Sequence, residues 1–336
     1  MTKRLEKWDI LKFLLIFLVV LGHFIEASKP LLNDYDKFKM VLFFIYSFHM
    51  PLFIFVSGLF SKKNINEKRY NKIFSYFLLY FWTKIFLTIA RYISTGKLTF
   101  SLFNERGLPW YAIAIFFYCL ITIFLKRFSR IYVLIFLIVI GCLAGLDKNL
   151  NDFLAISRCV VYFPFFFLGY CLDPSKVADY FNKPIFKIIS AVIIILFVVG
   201  IFFYIDDIYF LKRLFTGRHP YSKLKNWSSY GIVLRAVCYL ISAVIGAAVI
   251  SLTPSKIGKN GLIAKLGSRT LQTYMLHYVF VYIMFTGLHI DKLIINFLPN
   301  WPELIVFPLS LAVTLICSLK IFEKPINMLI NPKLRK

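Results

Sequence analysis

Long apolar runs separated by short basic loops constrain this chain more than any motif does. A bilayer core is about 30 Å thick and a helix rises about 1.5 Å per residue, so about 20 apolar residues span it. Runs of that order fall at 9–27, 40–60, 73–95, 108–125, 131–146, 153–172, 185–205, 229–251, 270–288 and 302–322, the fifth being short. Hydrophobic residues make up 60% of the 336 and aromatic residues 19%, more than a soluble domain of this size can bury. The sequence predicts an all-α integral membrane protein, a bundle of about ten transmembrane helices. Residues 1–336 read as a single membrane domain with no soluble accessory domain.

The net charge of +24 would suggest nucleic acid on a soluble chain. Here Lys and Arg lie mostly in short loops, so no nucleic-acid partner is expected. Lys3, Arg4 and Lys7 precede the first run, and Lys62, Lys63, Lys68, Arg69 and Lys72 follow the second. Lys126, Arg127 and Arg130, then Lys176 and Lys183, then Lys256, Lys259 and Lys265, and finally Lys324, Lys333, Arg335 and Lys336 continue the alternation. Opposite loops are poorer in cations, except Asp206 to Ser228, which holds Lys212, Arg213, Arg218, Lys223 and Lys225. The bias places both termini in the cytoplasm of a multi-pass plasma-membrane protein. Trp8, Trp110, Trp227 and Trp301 near span ends fit interfacial belts. The first run is too long for a cleaved signal and lacks a small-residue cleavage site. The six cysteines show no C-x-x-C or zinc spacing and read as small apolar side chains.

Ionisable groups inside apolar runs are costly and mark function. The first run, WDILKFLLIFLVVLGHF, carries Asp9 and Lys12 at its start and His23 near its end. Eleven residues separate Lys12 from His23, about three helical turns, so both share one face about 16 Å apart. Glu26 lies three residues beyond His23 and either caps the span, the favoured reading, or fixes the imidazole tautomer. His49 stands in FHMPLFIFVSG, where Pro51 is expected to kink or open the helix, and Ser57 and Gly58 permit close helix contact. His23 and His49 are expected to share a site. Lys84 lies near the centre of the third run. Trp110, after GLP, reads either as the lining of an outer mouth or as a belt tryptophan. Arg158 needs an anionic partner or snorkels outward, and Pro164 and Gly169 follow it. Gly267, Ser268, Arg269 and Thr270 read as a basic, N-cap-like helix start that would suit a phosphate, or as an ordinary cap. Tyr274 and His277, three apart, point together into the bundle. The histidines lie on different helices without metal spacing, so no metal is expected. Histidines able to take a proton from a hydroxyl, among cations that suit an anionic donor, point to acyl transfer.

Four segments, in order along nearly the whole chain, resemble the acyltransferase type 3 family: WDILK followed by Gly22 and His23, then FHMPLFIFVSG, FPFFFLGY and LGSRTLQTYMLH. This family comprises bacterial membrane O-acyltransferases, including the fucose 4-O-acetylase-like group. Its motif of a basic residue, ten intervening residues and an essential histidine corresponds to Lys12 and His23. Its second-helix histidine corresponds to His49, its sixth-span arginine to Arg158, and its late tyrosine and histidine to Tyr274 and His277. The resemblance implies transfer of an acetyl group from acetyl-CoA to a hydroxyl of a surface-polysaccharide sugar or its lipid-linked precursor. On that expectation His23 and His49 are catalytic. Arg158, Tyr274, His277, Glu26 and Trp110 position substrate or oxyanion, and Lys12, Asp9, Arg269 and Ser268 hold the acyl-CoA. Acetyl-CoA is a cosubstrate, no cofactor is tightly bound, and the polysaccharide-synthesis machinery is a further partner. The rival reading is an exporter or flippase for a glycan or small acid, whose pathway the same buried cations would line.

Overall fold

Backbone groups in hydrocarbon must be satisfied within the chain, and helix does this locally. The computed structural model describes residues 6–105, 107–148, 152–258 and 261–331, and these form helices and one isolated bridge between Asn104 and Phe153. Lys3, Arg4, Lys259, Lys333, Arg335 and Lys336, used above for orientation, lie outside the described residues. The helices are α1 (Glu6–Ala27), α2 (Lys29–Asp34), α3 (Asp36–Asn66), α4 (Tyr70–Thr95), α5 (Trp110–Leu125), α6 (Arg130–Leu143), α7 (Ile156–Cys171) and α8 (Pro174–Phe181). There follow α9 (Pro184–Ile208), α10 (Lys212–Phe215), α11 (Gly231–Leu252), α12 (Leu262–Gly267), α13 (Thr270–Val281), α14 (Ile290–Phe297), α15 (Glu303–Cys317) and α16 (Glu323–Ile330).

Each of the ten apolar runs contains a helix. Five stretches are long and apolar enough to cross a membrane alone: α1, α3, α4, Pro184–Phe215 and Tyr221–Leu252. The number rises to eight if three bent pairs are single spans. α7 with α8 bends by 93°, Thr270–Gly287 with α14 by 70°, and α15 with Lys320–Ile330 by 46°. Trp110–Leu125 and Arg130–Leu146 are apolar but short.

The chain divides into two compact units. The first is Met1–Ile45, Phe81–Phe100 and Thr253–Lys336, and the second is Tyr46–Tyr80 and Ser101–Leu252. In the first, α1 packs on α12, α13 and α15. Gly267 on α12 lies so close to α1 that a Cβ there would collide with the Asp9 carbonyl. Trp8 is fully buried, against the expectation of an interfacial belt, while Trp227 and Trp301 are exposed as that expectation requires.

In the second unit, α3 and α7 meet through paired glycines. A Cβ on Gly58 would strike the Phe166 carbonyl, and one on Gly169 the Phe55 carbonyl. Small residues let two backbones approach this closely. α3 continues through Pro51 without ending. Proline has no N–H, so the carbonyl four residues back, Ser47, loses its helical donor. Ser242 on α11 supplies a replacement, its hydroxyl donating to the Ser47 carbonyl at 2.5 Å.

Two substitutions test this packing. Gly169→Ala is expected to destabilise the protein by about 1–3 kcal/mol through overpacking. Ser242→Ala should cost roughly 1–3 kcal/mol by leaving a buried carbonyl unmet. Thermal unfolding in detergent measures both, and unchanged midpoints would refute them.

Candidate functional site

In the first unit the polar residues of α1 and α13 come together at two levels. At the upper level the rings of His23 and His277 stack, with centroids 5.4 Å apart and planes 26° apart. Their environments differ: His277 is fully buried, whereas His23 is half-buried. His277 Nδ1 lies 2.6 Å from the Thr273 carbonyl, one helical turn back. A carbonyl only accepts, so Nδ1 carries the proton. In the neutral ring Nε2 is then an acceptor, and it is buried with no hydrogen-bond partner. Tyr278 meets the His23 ring edge-on at 4.8 Å, and Tyr282 packs on Tyr278. Tyr274 is buried, and Glu26 is exposed at the end of α1. α13 runs directly into a π-helical turn, Tyr282–Gly287. Such turns are frequent at functional sites.

At the lower level the close approach of Gly267 brings the turn before α13 against the first turns of α1. Asp9 is buried and pairs with Lys12 at 2.7 Å. Arg269 pairs with Glu323 at 3.2 Å and donates to the Ser318 carbonyl at 3.3 Å. Within the predicted cap segment the exposed Ser268 hydroxyl donates to the Lys265 carbonyl at 2.7 Å, and Arg269 occupies the cap position of α13. Lys7 is buried and donates to the Thr253 carbonyl at 3.0 Å. Lys84 is buried as well.

The second unit holds the other predicted residues. His49 is buried and packs edge-on against Tyr46 at 5.1 Å. Lys212 Nζ lies 4.7 Å from the centre of the same Tyr46 ring. Arg158, in the first turn of α7, is buried rather than snorkelling. Its guanidinium lies 5.2 Å from the centre of the Trp110 ring and reaches toward the Gly107 carbonyl. Trp110 is itself buried and stacked on Tyr162 at 5.3 Å, so it is not a belt tryptophan. Leu154 and Ala155, just before α7, both have left-handed φ, at 46° and 53°. Such strain persists where surrounding contacts enforce it. Here the Glu105 N–H donates to the Asp152 carbonyl and the Leu154 N–H to the Phe103 carbonyl, both at 2.7 Å.

Sequence reasoning missed several participants. Tyr278 adjoins a chosen histidine, but nothing in the sequence selects it as the neighbour of His23. Thr273, four residues before His277, carries a helical spacing signal that was readable. Asp152, far from Arg218 in sequence, binds it with both oxygens, at 2.6 and 2.7 Å.

With this geometry in place, the relationship to known proteins is direct. The family model for acyltransferase type 3, described as an acyltransferase domain, matches residues 5–322. The chain belongs to that family, a multi-pass membrane acyltransferase family. Searches of curated proteins and of solved structures each returned no match.

His219 reports the field of the second unit. Burial, then the charges of Arg218, Arg213 and Arg158, hold its imidazole below the ordinary 6.5, against a smaller upward pull from Asp152. The folded chain releases this proton more readily than the unfolded one. Its contribution to stability is therefore complete above pH 6.5 and is lost as pH falls below it. Removing one repelling charge, by Arg213→Gln, is expected to move the His219 titration upward, as read by imidazole NMR. An unmoved titration would show that Arg213 does not act on this ring.

Proposed function

We propose that the protein is an integral-membrane O-acetyltransferase of the plasma membrane that moves an acetyl group from acetyl-CoA to a sugar hydroxyl of a surface polysaccharide or its lipid-linked precursor. The observation that carries this reading is the stacked pair in the first unit. One imidazole is half-exposed and the other is buried behind it, its Nδ1 proton committed to the Thr273 carbonyl. This is the arrangement of a base and the group that orients it.

In the reaction, an imidazole nitrogen of His23 takes the proton of the acceptor hydroxyl. The hydroxyl oxygen bonds to the thioester carbonyl carbon, the carbon–sulfur bond breaks, and the departing thiolate takes the proton back from His23. His277 is a positioning residue: its ring stacks on His23 and its tautomer is held by a backbone carbonyl that no side-chain change removes. Tyr278 limits rotation of His23 from another side. Lys12 and Arg269 are assigned to the coenzyme phosphates at the cytoplasmic rim, each oriented by an acid, Asp9 and Glu323. Helical rise puts Lys12 about 16 Å below His23, comparable to a pantetheine arm.

His23→Ala is expected to abolish polysaccharide O-acetylation at normal protein level, and NMR of the ester signal reads it. Undiminished ester would overturn the proposal, and a change in glycan amount without a change in ester content would favour an exporter. His277→Asn keeps a donor for the Thr273 carbonyl but removes the imidazole. It should lower kcat by roughly 10²-fold with KM nearly unchanged and displace the pH–rate profile. A purely structural residue would lower the amount of folded enzyme without moving that profile.

A further inference from the structure

The segment between α9 and α11 is the one departure from the charge rule that otherwise orients the chain. Tyr209–Tyr230 contains Lys212, Arg213, Arg218, Lys223 and Lys225 and no acid, with Asp206 and Asp207 just before it at the end of α9. Within the second unit it lies at the end where α5 and α7 begin, because the Tyr162 hydroxyl donates to the Phe215 carbonyl and Ser157 to that of Gly217. The opposite end, where those helices finish, carries Lys126, Arg127, Arg130, Lys176 and Lys183, and Lys126 donates to the Ile65 carbonyl at 3.4 Å, which brings in five further cations between Lys62 and Lys72. The bias in Lys and Arg therefore sets the 209–230 end outside the cytoplasm. Cations there oppose the orientation rule, which calls for a reason to keep them.

The segment is held rigidly. Besides the two bonds above, Arg235 donates to the Leu214 carbonyl and the Tyr221 hydroxyl to the Cys142 carbonyl. Arg235 is also fully buried, with Nε and Nη2 lacking hydrogen-bond partners. The Ser157–Gly217 bond holds the neighbouring residues Arg158 and Arg218 together, and the exposed Arg213, which donates to the Lys223 carbonyl, lies on the same segment, all three charges acting on His219. Asp152 is already bound through both oxygens to Arg218. Asp152 and Glu105 are outnumbered by Arg158, Arg213 and Arg218. Arginine forks beside a rigid backbone match phosphate oxygens in geometry as well as in charge.

We infer that this end of the second unit is a phosphate-binding subsite, and that the acceptor carries a diphosphate near the sugar, as a lipid-linked sugar does. A finished neutral polysaccharide would have nothing to offer these arginines. The identity of the acceptor rests on the acyl-transfer reading given above, but phosphate binding does not.

The test uses the full chain in nanodiscs of zwitterionic lipid, with inorganic pyrophosphate titrated calorimetrically. Saturable binding is expected. It should weaken at least tenfold in Arg213→Gln and in the paired change Asp152→Asn with Arg218→Gln, which removes that ion pair as a unit. His23→Ala should bind pyrophosphate as the unaltered protein does while losing acyl transfer. Pyrophosphate binding that is absent, or indifferent to the arginine changes, overturns the subsite while leaving the first-unit chemistry intact. Conversely, arginine-dependent binding in a protein whose His23→Ala variant still acetylates would keep the subsite and overturn the proposed reaction. A third arm adds phosphatidylglycerol to the nanodiscs. If that lipid alone abolishes pyrophosphate binding through the same arginines, the site belongs to a lipid headgroup and the acceptor assignment fails.

Discussion

Hydrocarbon offers no hydrogen bonds, so each polar group held within it must be met by another part of the protein. Much of the detail follows from this. Pro51 deprives one carbonyl of its donor, and a serine from another helix replaces it. Tyrosine hydroxyls close further carbonyls: Tyr239 reaches Val161 at 2.6 Å and Tyr118 reaches Arg158 at 3.3 Å. Buried Lys7 is spent on a backbone oxygen. Such bonds join segments distant in sequence, so the requirement that saves a single carbonyl also fixes helix register.

The same requirement makes the histidine pair informative. His277 satisfies one nitrogen through its own helix and leaves the other without a partner in a fully buried position. A merely structural histidine usually finds partners for both nitrogens. Its neighbour His23 is more accessible, so the pair has an open side and a buried side. The π-helical turn after Val281 adds a local departure from regular helix one turn beyond them.

The positions of the helices were legible because apolar runs and basic loops have strong periodic and compositional signals. The number of spans was less so: α7 and α15 are apolar yet pair with sharply bent continuations, and length alone does not say where such a pair enters or leaves lipid. Gly58 was readable as a contact point, whereas Gly169, which with Pro164 reads as a break in helix regularity, lies within a continuous α7 and serves instead as the matching contact. Pairings that depend on distant segments were not readable. Nothing near Arg218 points to Asp152, and nothing near Trp110 shows that it would be enclosed between Tyr162 and Arg158. Trp8 was misread for a related reason: a tryptophan at a helix start looks interfacial until a second helix covers it. The division of the charged residues between two units was likewise invisible, because α3 and α4 contribute to both.

Gly267 resting on the Asp9 carbonyl has an implication for how this end of the molecule can vary. Two main chains in direct contact leave no side chain to absorb a change, so the spacing of α1 and α12 has no adjustable member. Ser268, next along and open to solvent, carries no such burden. Drift in sequence can therefore alter what surrounds Lys12 and Arg269, while the approach of the two backbones between them is set by direct contact of main chains.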